Sequence, residues 1–271
     1  MKKLGLLLSL FLLVGGIAGC GGNDKASGKP LNDKKLVVGV TAGPHEEIME
    51  VVKKVAEKDG LEIELKVFSD YVTPNTALAE GDLDANSYQH KPFLEQFNED
   101  HKTDLVPVAK TVLNPMGVYS EKYKSIDELE DGAKFGLPND PTNGARALHI
   151  LEKEGIIKLK EDKKYTASIH DIVENPKNLK FIELEAAQIP KHLSEVDLAA
   201  INTNFALGAG LSPRDDSILL ESPDSDYVNY IVVRPENKDD EAVKKLIKAY
   251  QSEEVKNFIE EKFQGSVIPA W

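Results

Sequence analysis

Two hydrophobic periodicities alternate along the chain between residues 36 and 263. Short apolar runs such as "LVVGVT" (36–41) are typical of buried strands, and "LEIELKVF" (61–68) alternates like a half-buried strand. Stretches with apolar residues every three or four positions lie between them. The strand-like stretches are 36–41, 61–68, 83–89, 104–112, 133–138, 179–185, 197–202 and 228–234. Strands that alternate with helices predict an α/β fold with largely parallel sheets, and the length allows two lobes.

The last apolar pattern predicts one long amphipathic helix over residues 239–263. Its apolar positions are Val243, Leu246, Ile247, Tyr250, Val255, Phe258, Ile259 and Phe263.

The first residues carry a targeting signal rather than part of the fold. Lys2 and Lys3 precede an apolar run (4–18) that is too short to span a bilayer, and "IAGC" ends at Cys20. This pattern predicts a lipoprotein signal peptide at 1–19 and a lipid on Cys20; the alternative is a plain secretory signal with an incidental cysteine. Residues 20–35 then read as a flexible tether of up to roughly 50 Å.

Charge and composition exclude several classes of protein. The formal net charge is −13, and it becomes −15 without residues 1–19, which hold two lysines and no acidic residue. Such a surface opposes nucleic-acid binding. No other segment is apolar for long enough to span a membrane, which argues against a channel or permease. The single cysteine excludes an internal disulfide, and six scattered histidines predict neither a metal site nor a cofactor.

Candidate functional residues follow from the rule that ligands of open α/β sheets bind beyond the carboxyl ends of strands. The loops at those ends combine aromatic rings, amides and one arginine. They hold Tyr71, Tyr88, Gln89, His90, Met116, Tyr119, Arg146, Asn202, Asn204, Phe205 and Asn229. No paired carboxylates, Ser-His-Asp or Cys-His arrangement accompanies them, so a binding protein is favoured over an enzyme. An enzyme that uses His90 and the tyrosines, or an adhesin, remains the alternative class.

Arg146 is the most informative of these residues. In "NDPTNGARALHILEKEG" (139–155), Asp140 is suited to cap a helix and Pro141 to begin it. A cation in the first turns opposes the helix dipole, but a bound carboxylate would meet both the helix N–H groups and a bidentate guanidinium. The alternative is that Arg146 faces solvent or pairs with a surface acid.

The other candidates also have ordinary structural explanations. Tyr71 and Tyr88 could be core aromatics, and His90 a structural histidine. Asn202 and Asn229 could simply end strands as turn formers, and we expect Asn204 to cap the helix that follows it.

Several long motifs resemble one family along the whole mature chain. They are "FSDYVTPNTALAEGDLDANSYQHKPFLEQ" (68–96), "LPNDPTNGARAL" (137–148), "VENPKNLKFIELEAAQIP" (173–190), "AAINTNFALGAGLSP" (199–213), "DYVNYIVVRPENKD" (226–239) and the closing "AYQSEEVKNFIEEKFQGSVIPAW". They resemble the NlpA family, the methionine-binding lipoproteins of bacterial ABC importers.

The resemblance implies a type II periplasmic-binding-protein fold, with two α/β lobes, two crossover strands and a cleft between the lobes. It places one lobe at 36–118 plus 228–271 and the other at 119–227. It also implies a receptor that is lipid-anchored on the extracytoplasmic face, is a monomer, and delivers its ligand to a permease driven by a cytoplasmic ATPase.

The resemblance also assigns roles within the site. Arg146 would hold the ligand carboxylate, Asn202 and Asn229 its backbone, and Tyr71, Tyr88 and His90 would line the side-chain pocket. Relatives often carry phenylalanine at Tyr88, and the added hydroxyl could favour a more polar ligand. L-Methionine, D-methionine, a dipeptide such as Gly-Met, and other apolar amino acids all remain open as ligands.

Overall fold

The computed structural model describes residues 30–271. The predicted signal peptide (1–19), the lipid site at Cys20 and the tether up to residue 29 lie outside this range. Within residues 30–271, no helix is long and apolar enough to cross a membrane.

The described chain alternates strands and helices, as the hydrophobic pattern predicts. The strands are β1 (Lys35–Thr41), β2 (Glu62–Phe68), β3 (Ala85–His90), β4 (Val106–Leu113), β5 (Gly117–Tyr119), β6 (Lys134–Pro138), β7 (Lys158–Leu159), β8 (Ile172–Glu174), β9 (Lys180–Leu184), β10 (Leu198–Ile201), β11 (Leu219–Leu220), β12 (Val228–Val233) and β13 (Ile268–Pro269). The α-helices are α1 (Pro44–Lys58), α2 (Thr73–Glu80), α3 (Lys91–His101), α4 (Pro141–Lys153), α5 (Thr203–Gly208), α6 (Glu241–Tyr250) and α7 (Glu253–Phe263).

The strands form two larger sheets, each the centre of one lobe. The first sheet has the order β13-β4-β12-β3-β1-β2, and the second has the order β11-β5-β10-β6-β9. Strands β7 and β8 form a separate small ribbon in the second lobe. The two-lobe α/β architecture inferred from the sequence is therefore present.

The sheets are mixed, and the expectation of largely parallel sheets is wrong. β1 runs parallel to β2 and β3, but β12 runs antiparallel to both β3 and β4. In the second sheet, β6 is parallel to β9 and β10, while β5 is antiparallel to β10 and β11. The reason lies in the path of the chain: β4 leaves the first lobe and β12 re-enters it beside β4, so these neighbours run in opposite directions.

Two short segments connect the lobes. The first crossover comprises residues 114–116, between β4 and β5, and the second comprises residues 221–227, between β11 and β12. The boundary expected after residue 118 falls inside β5, and the other expected boundary falls where β12 begins. The exact domain limits stay a prediction.

The C-terminal amphipathic pattern forms two helices instead of one. α6 ends at Tyr250 and α7 begins at Glu253, because the Ser252 hydroxyl oxygen accepts a hydrogen bond from the Val255 N–H (3.3 Å) and caps a new helix. Both helices still bury their apolar faces in the core of the first lobe, which explains why the periodicity runs through the break.

Candidate functional site

A cavity lies between the lobes, at the ends of strands from both sheets. Its lining residues are His45, Tyr71, Tyr88, Gln89, His90, Phe93, Asn114, Asn143, Arg146, Asn202, Thr203, Asn204 and Asn229. All six residues predicted to bind a ligand are among them. The structure therefore brings these six together, although their ligand contacts stay a prediction.

Helix α4 carries the polar end of the cavity. Asp140 caps the helix by accepting from the Asn143 N–H (2.9 Å), and Pro141 occupies the first helical position. A Cβ at position 144 would lie 3.0 Å from the Pro138 carbonyl oxygen, so glycine allows the helix to begin close against the end of β6. Asn143 and Arg146 are three residues apart, which places them on one face.

Arg146 is 4% exposed, and its guanidinium is held on two sides. Its Nε donates to Glu221 Oε1 (2.9 Å), and its Nη2 donates to Glu221 Oε2 and to the Asn114 carbonyl oxygen (2.8 Å for the latter). The guanidinium carbon also lies 4.6 Å from the ring centroid of Tyr227. Of the three guanidinium nitrogens of Arg146, only Nη1 has no hydrogen-bond partner within residues 30–271.

This geometry differs from the arrangement expected from the sequence. The bidentate edge of Arg146 already binds Glu221, and Asp140 already accepts from the N–H at the helix start. A ligand anion therefore has Nη1 available, rather than a free fork and free helix N–H groups. The alternative that Arg146 pairs with an acid is correct in part, but that acid lies in the second crossover and its side chain is only 9% exposed.

Glu221 also connects the two crossovers. Its Oε2 accepts from the Met116 N–H in the first crossover (3.1 Å), and its Oε1 accepts from the Ser225 hydroxyl in the second (2.8 Å). Arg146 in the second lobe, through Glu221 and Asn114, is thus joined to both segments that connect the lobes.

Amides with unused atoms surround Arg146. Asn143 Oδ1 lies 3.1 Å from His90 Nε2 and accepts from Asn202 Nδ2 (2.9 Å). The buried Oδ1 atoms of Asn202 and Asn114 have no partner within residues 30–271, and neither does Asn204 Nδ2. Because unpaired buried polar groups are costly, these acceptors and this donor are suited to a polar ligand.

Aromatic rings form the other side of the cavity. The rings of Tyr71 and Tyr88 stack with centroids 6.0 Å apart, and the Phe93 centroid lies 5.9 Å from that of Tyr71. Phe205 of the second lobe packs against Tyr71 at 5.0 Å but does not line the cavity. The Tyr71 hydroxyl donates across the cleft to Asn204 Oδ1 (2.6 Å). The rings leave an apolar surface suited to an uncharged side chain.

The structure revises two expectations from the sequence near the aromatic side of the cavity, one for Asn204 and one for the Tyr88 hydroxyl. Asn204 is the second residue of α5 rather than its cap, and its side chain lines the cavity. The cap expectation is wrong because α5 begins two residues earlier than expected, with Asn202 at the cap position. The Tyr88 hydroxyl donates to the Tyr71 carbonyl oxygen (2.5 Å), so the extra hydroxyl is satisfied within the first lobe.

The two histidines and two tyrosines of the cavity are neutral at pH 7. Burial, helped by the nearby Arg146 charge, lowers the pKa of His90 to about 3, and burial lowers the pKa of His45 to about 4. Burial raises the pKa values of Tyr71 and Tyr88. No group of three or more histidine, cysteine or acidic side chains within residues 30–271 is placed to hold a metal ion.

Sequence reasoning missed several contributors. His45, Phe93, Asn114, Asn143 and Thr203 line the cavity, and Glu221 orients Arg146. One available signal was the three-residue spacing of Asn143 and Arg146. Glu221 had no such signal among 46 acidic residues.

Comparison with known proteins places the chain in a family. The family model of the NlpA lipoproteins matches residues 36–271. The D-methionine-binding lipoprotein MetQ of Salmonella typhi is 48% identical over 258 residues, which cover 94% of this chain and 93% of that protein. MetQ of Escherichia coli K12 is 46% identical over 264 residues, with 96% and 95% coverage.

A solved structure agrees with this assignment. The nutrient-binding protein of Burkholderia cenocepacia, solved bound to methionine, is 50% identical and superposes with a TM-score of 0.85, covering 87% of this chain and all of that chain. With a family match over nearly the whole folded part and relatives this similar, the chain belongs to the NlpA lipoprotein family.

Proposed function

We propose that this protein is the lipid-anchored, extracytoplasmic receptor of an ABC importer and binds L-methionine or D-methionine in the inter-lobe cavity. The observation that supports this proposal is the division of the cavity into a polar end around Arg146 and an aromatic wall around Tyr71 and Tyr88. Methionine has the same division, and relatives that bind it share nearly half of this sequence.

In this proposal the ligand carboxylate binds Arg146 Nη1, the guanidinium nitrogen left free by Glu221. The ammonium group donates to Asn202 Oδ1, a buried acceptor, and to Asn229, which lies beside His90 at the edge of β12. The thioether packs against Tyr71 and Tyr88, since sulfur makes favourable contacts with aromatic rings. The relatives named above bind methionine, which favours one amino acid over a dipeptide such as Gly-Met.

Binding would stabilise the closed arrangement of the lobes. Tyr71 and Asn204 bond directly across the cleft, and so do His90 and Asn143. A ligand that contacts both sides adds to these bonds only when the lobes are together, so it shifts the population toward the closed form. The protein binds and releases its ligand unchanged.

The anchor and the transport partners complete the proposal. A lipid on Cys20 would hold the monomeric receptor near its permease and raise the effective concentration of one for the other. The closed receptor would dock on the permease, and a separate cytoplasmic ATPase would supply the energy.

The direct test is to identify the ligand and measure its binding. Full-length protein is purified and unfolded, and released small molecules are analysed by mass spectrometry; refolded protein is then titrated calorimetrically with L-methionine, D-methionine, Gly-Met and L-leucine. We expect one methionine enantiomer to bind more tightly than Gly-Met and leucine. Tighter binding of Gly-Met or leucine than of methionine would show that methionine is not the preferred ligand. Absence of binding to all four compounds would overturn the receptor proposal.

A further inference from the structure

The hydrogen bonds around Asn143 have a fixed direction, and Asp140 sets it. Asp140 Oδ1 accepts from the Thr142 hydroxyl (3.1 Å) and the Asn143 N–H (2.9 Å), and both carboxylate oxygens lie 3.0 Å from Asn143 Nδ2. A carboxylate offers acceptors only, so Asn143 must turn its NH₂ group toward Asp140. Its amide oxygen therefore faces the opposite way, toward the cavity side.

His90 of the first lobe requires the same orientation of Asn143. Its Nδ1 accepts from the Phe93 N–H (3.2 Å) at the start of α3, so a neutral ring carries its proton on Nε2. That proton is donated to Asn143 Oδ1 at 3.1 Å. Two independent neighbours, one in each lobe, therefore fix which atom of the Asn143 amide is the acceptor.

The orientation of the Asn143 amide determines the orientation of the Asn202 amide. Because Asn143 presents an oxygen, Asn202 must offer its NH₂ group, and the two atoms are 2.9 Å apart. The Asn202 Oδ1 atom is left buried and without a partner within residues 30–271, in a residue that is 7% exposed. This end of the cavity presents an acceptor, which requires a donor from the ligand.

We propose that Asp140 is a positioning residue for ligand selection: through Asn143 it holds Asn202 with its oxygen toward the ligand, so that the site favours ligands with an α-ammonium group. This inference rests on the proposed function, because it takes the ligand to be an α-amino acid. Asp140 does not line the cavity and acts only through the two amides.

Asp140→Asn tests this role with little change in shape. Asparagine caps helices as well as aspartate does, so α4 keeps its start. Its own NH₂ group, however, would face the Asn143 NH₂ group at one of the two present contacts, which favours rotation of both amides. Asp140→Ser is the second variant, because serine also caps a helix but is too short to hold the Asn143 side chain.

The measurement compares two ligands. L-Methionine and 4-(methylthio)butanoate share the carboxylate and the thioether, and only methionine has the ammonium group. Calorimetric titration, with competition for weak binding, gives the ratio of their dissociation constants for each variant. We expect Asp140→Asn and Asp140→Ser to weaken methionine about tenfold while changing the analogue by less than about twofold.

The outcomes separate this inference from the proposed function. If the variants weaken the binding of both ligands equally, Asp140 only supports the fold. If methionine affinity is unchanged, Asp140 does not determine the orientation of the two amides. Either result overturns the inference. If the unchanged protein binds no methionine, the proposed function itself fails. Asp240→Asn is the matched control, because Asp240 occupies the cap position of α6 outside the cavity and should leave both affinities unchanged.

Discussion

The two halves of the cavity are built on different principles. The aromatic half comes from the first lobe, where Tyr71, Tyr88 and Phe93 lie within 23 residues of one another in the chain. The polar half comes mainly from the second lobe, where Arg146 meets Glu221 across 75 positions and Asn143 meets Asn202 across 59. One half is nearly local in the sequence, and the other depends on distant contacts.

The halves also differ in how strictly they constrain a ligand. Apolar contacts are not directional, so the aromatic rings accept several uncharged side chains of suitable size. The polar side-chain atoms of the other half each donate or accept hydrogen bonds. A ligand that places a donor against a donor, or an acceptor against an acceptor, leaves a buried group unpaired. We therefore expect substitutions in the polar half to change affinity more than substitutions in the aromatic half.

The largest effect is expected at Arg146. Arg146→Ala should weaken methionine binding by about a hundredfold or more, because a buried charge partner of the ligand carboxylate is lost. Calorimetric titration measures this loss. Because Arg146→Ala also leaves Glu221 unpaired, the double variant Arg146→Ala/Glu221→Gln is measured as well, and its affinity is compared with that of Glu221→Gln alone. Arg234→Ala is the control: Arg234 donates to backbone carbonyls in the first lobe, and its loss should reduce stability but not affinity. Unchanged binding by the Arg146 variants would remove the carboxylate assignment.

The next largest effect is on the pH dependence of stability and comes from His90. This histidine belongs to the first lobe but contributes to the polar half of the cavity. The pKa of His90 is about 3 in the folded protein, against 6.5 when unperturbed. Between these values the unfolded chain binds one more proton, so the free energy of unfolding falls as the pH drops below 6.5. At pH 5 the loss is about 2 kcal/mol for this histidine.

Urea unfolding at pH 7 and pH 5 measures this loss. His90→Asn keeps a side chain that can cap α3, and it should reduce the difference in unfolding free energy between the two pH values. His192→Asn is the control for the loss of a histidine, because His192 is 40% exposed and lies outside the cavity. The same pH dependence in protein with and without His90 would contradict the prediction.

Glu221 tests whether the polar half depends on orientation more than on charge. Glu221→Gln should weaken methionine binding about tenfold, because the new NH₂ group would face the donors of Arg146 or Met116. Simple charge repulsion predicts the opposite, since the variant removes an anion near the ligand carboxylate. Tighter binding would therefore show that Glu221 competes with the ligand. Glu236→Gln, which changes one of the two acidic partners of Arg234, is the control and should leave the affinity unchanged.

The sequence located the site better than it described the interactions inside it. The strand-end rule selected Arg146, Asn202 and Asn229 because strand ends can be recognised from local hydrophobic patterns. The pairing of Arg146 with Glu221 could not be recognised in this way, because it depends on how the second crossover returns past α4. Asn143 was overlooked for the same reason, since its importance comes from His90 and Asn202.

The fold shows the same limit. Strands and helices were predicted where apolar residues repeat, but strand direction was not, because it depends on the path of the chain between lobes. The break between α6 and α7 was missed because the apolar spacing continues across it, and only the Ser252 cap marks the new start. Local patterns therefore predicted the elements, and long-range contacts decided their arrangement.

The smallest effect is expected within the aromatic half, from two hydroxyls that differ in what they join. Tyr71→Phe removes a bond to Asn204 that crosses the cleft, whereas Tyr88→Phe removes a bond to the Tyr71 carbonyl within the first lobe. Only the first bond requires closed lobes, so Tyr71→Phe should weaken methionine binding about fivefold, for a net hydrogen bond of about 1 kcal/mol. Tyr88→Phe should change it by less than about twofold. Each variant is the control for the other in calorimetric titration, since both keep the ring. Equal effects would show that the Tyr71 hydroxyl does not contribute to closure, and that the aromatic half acts only through its apolar surface.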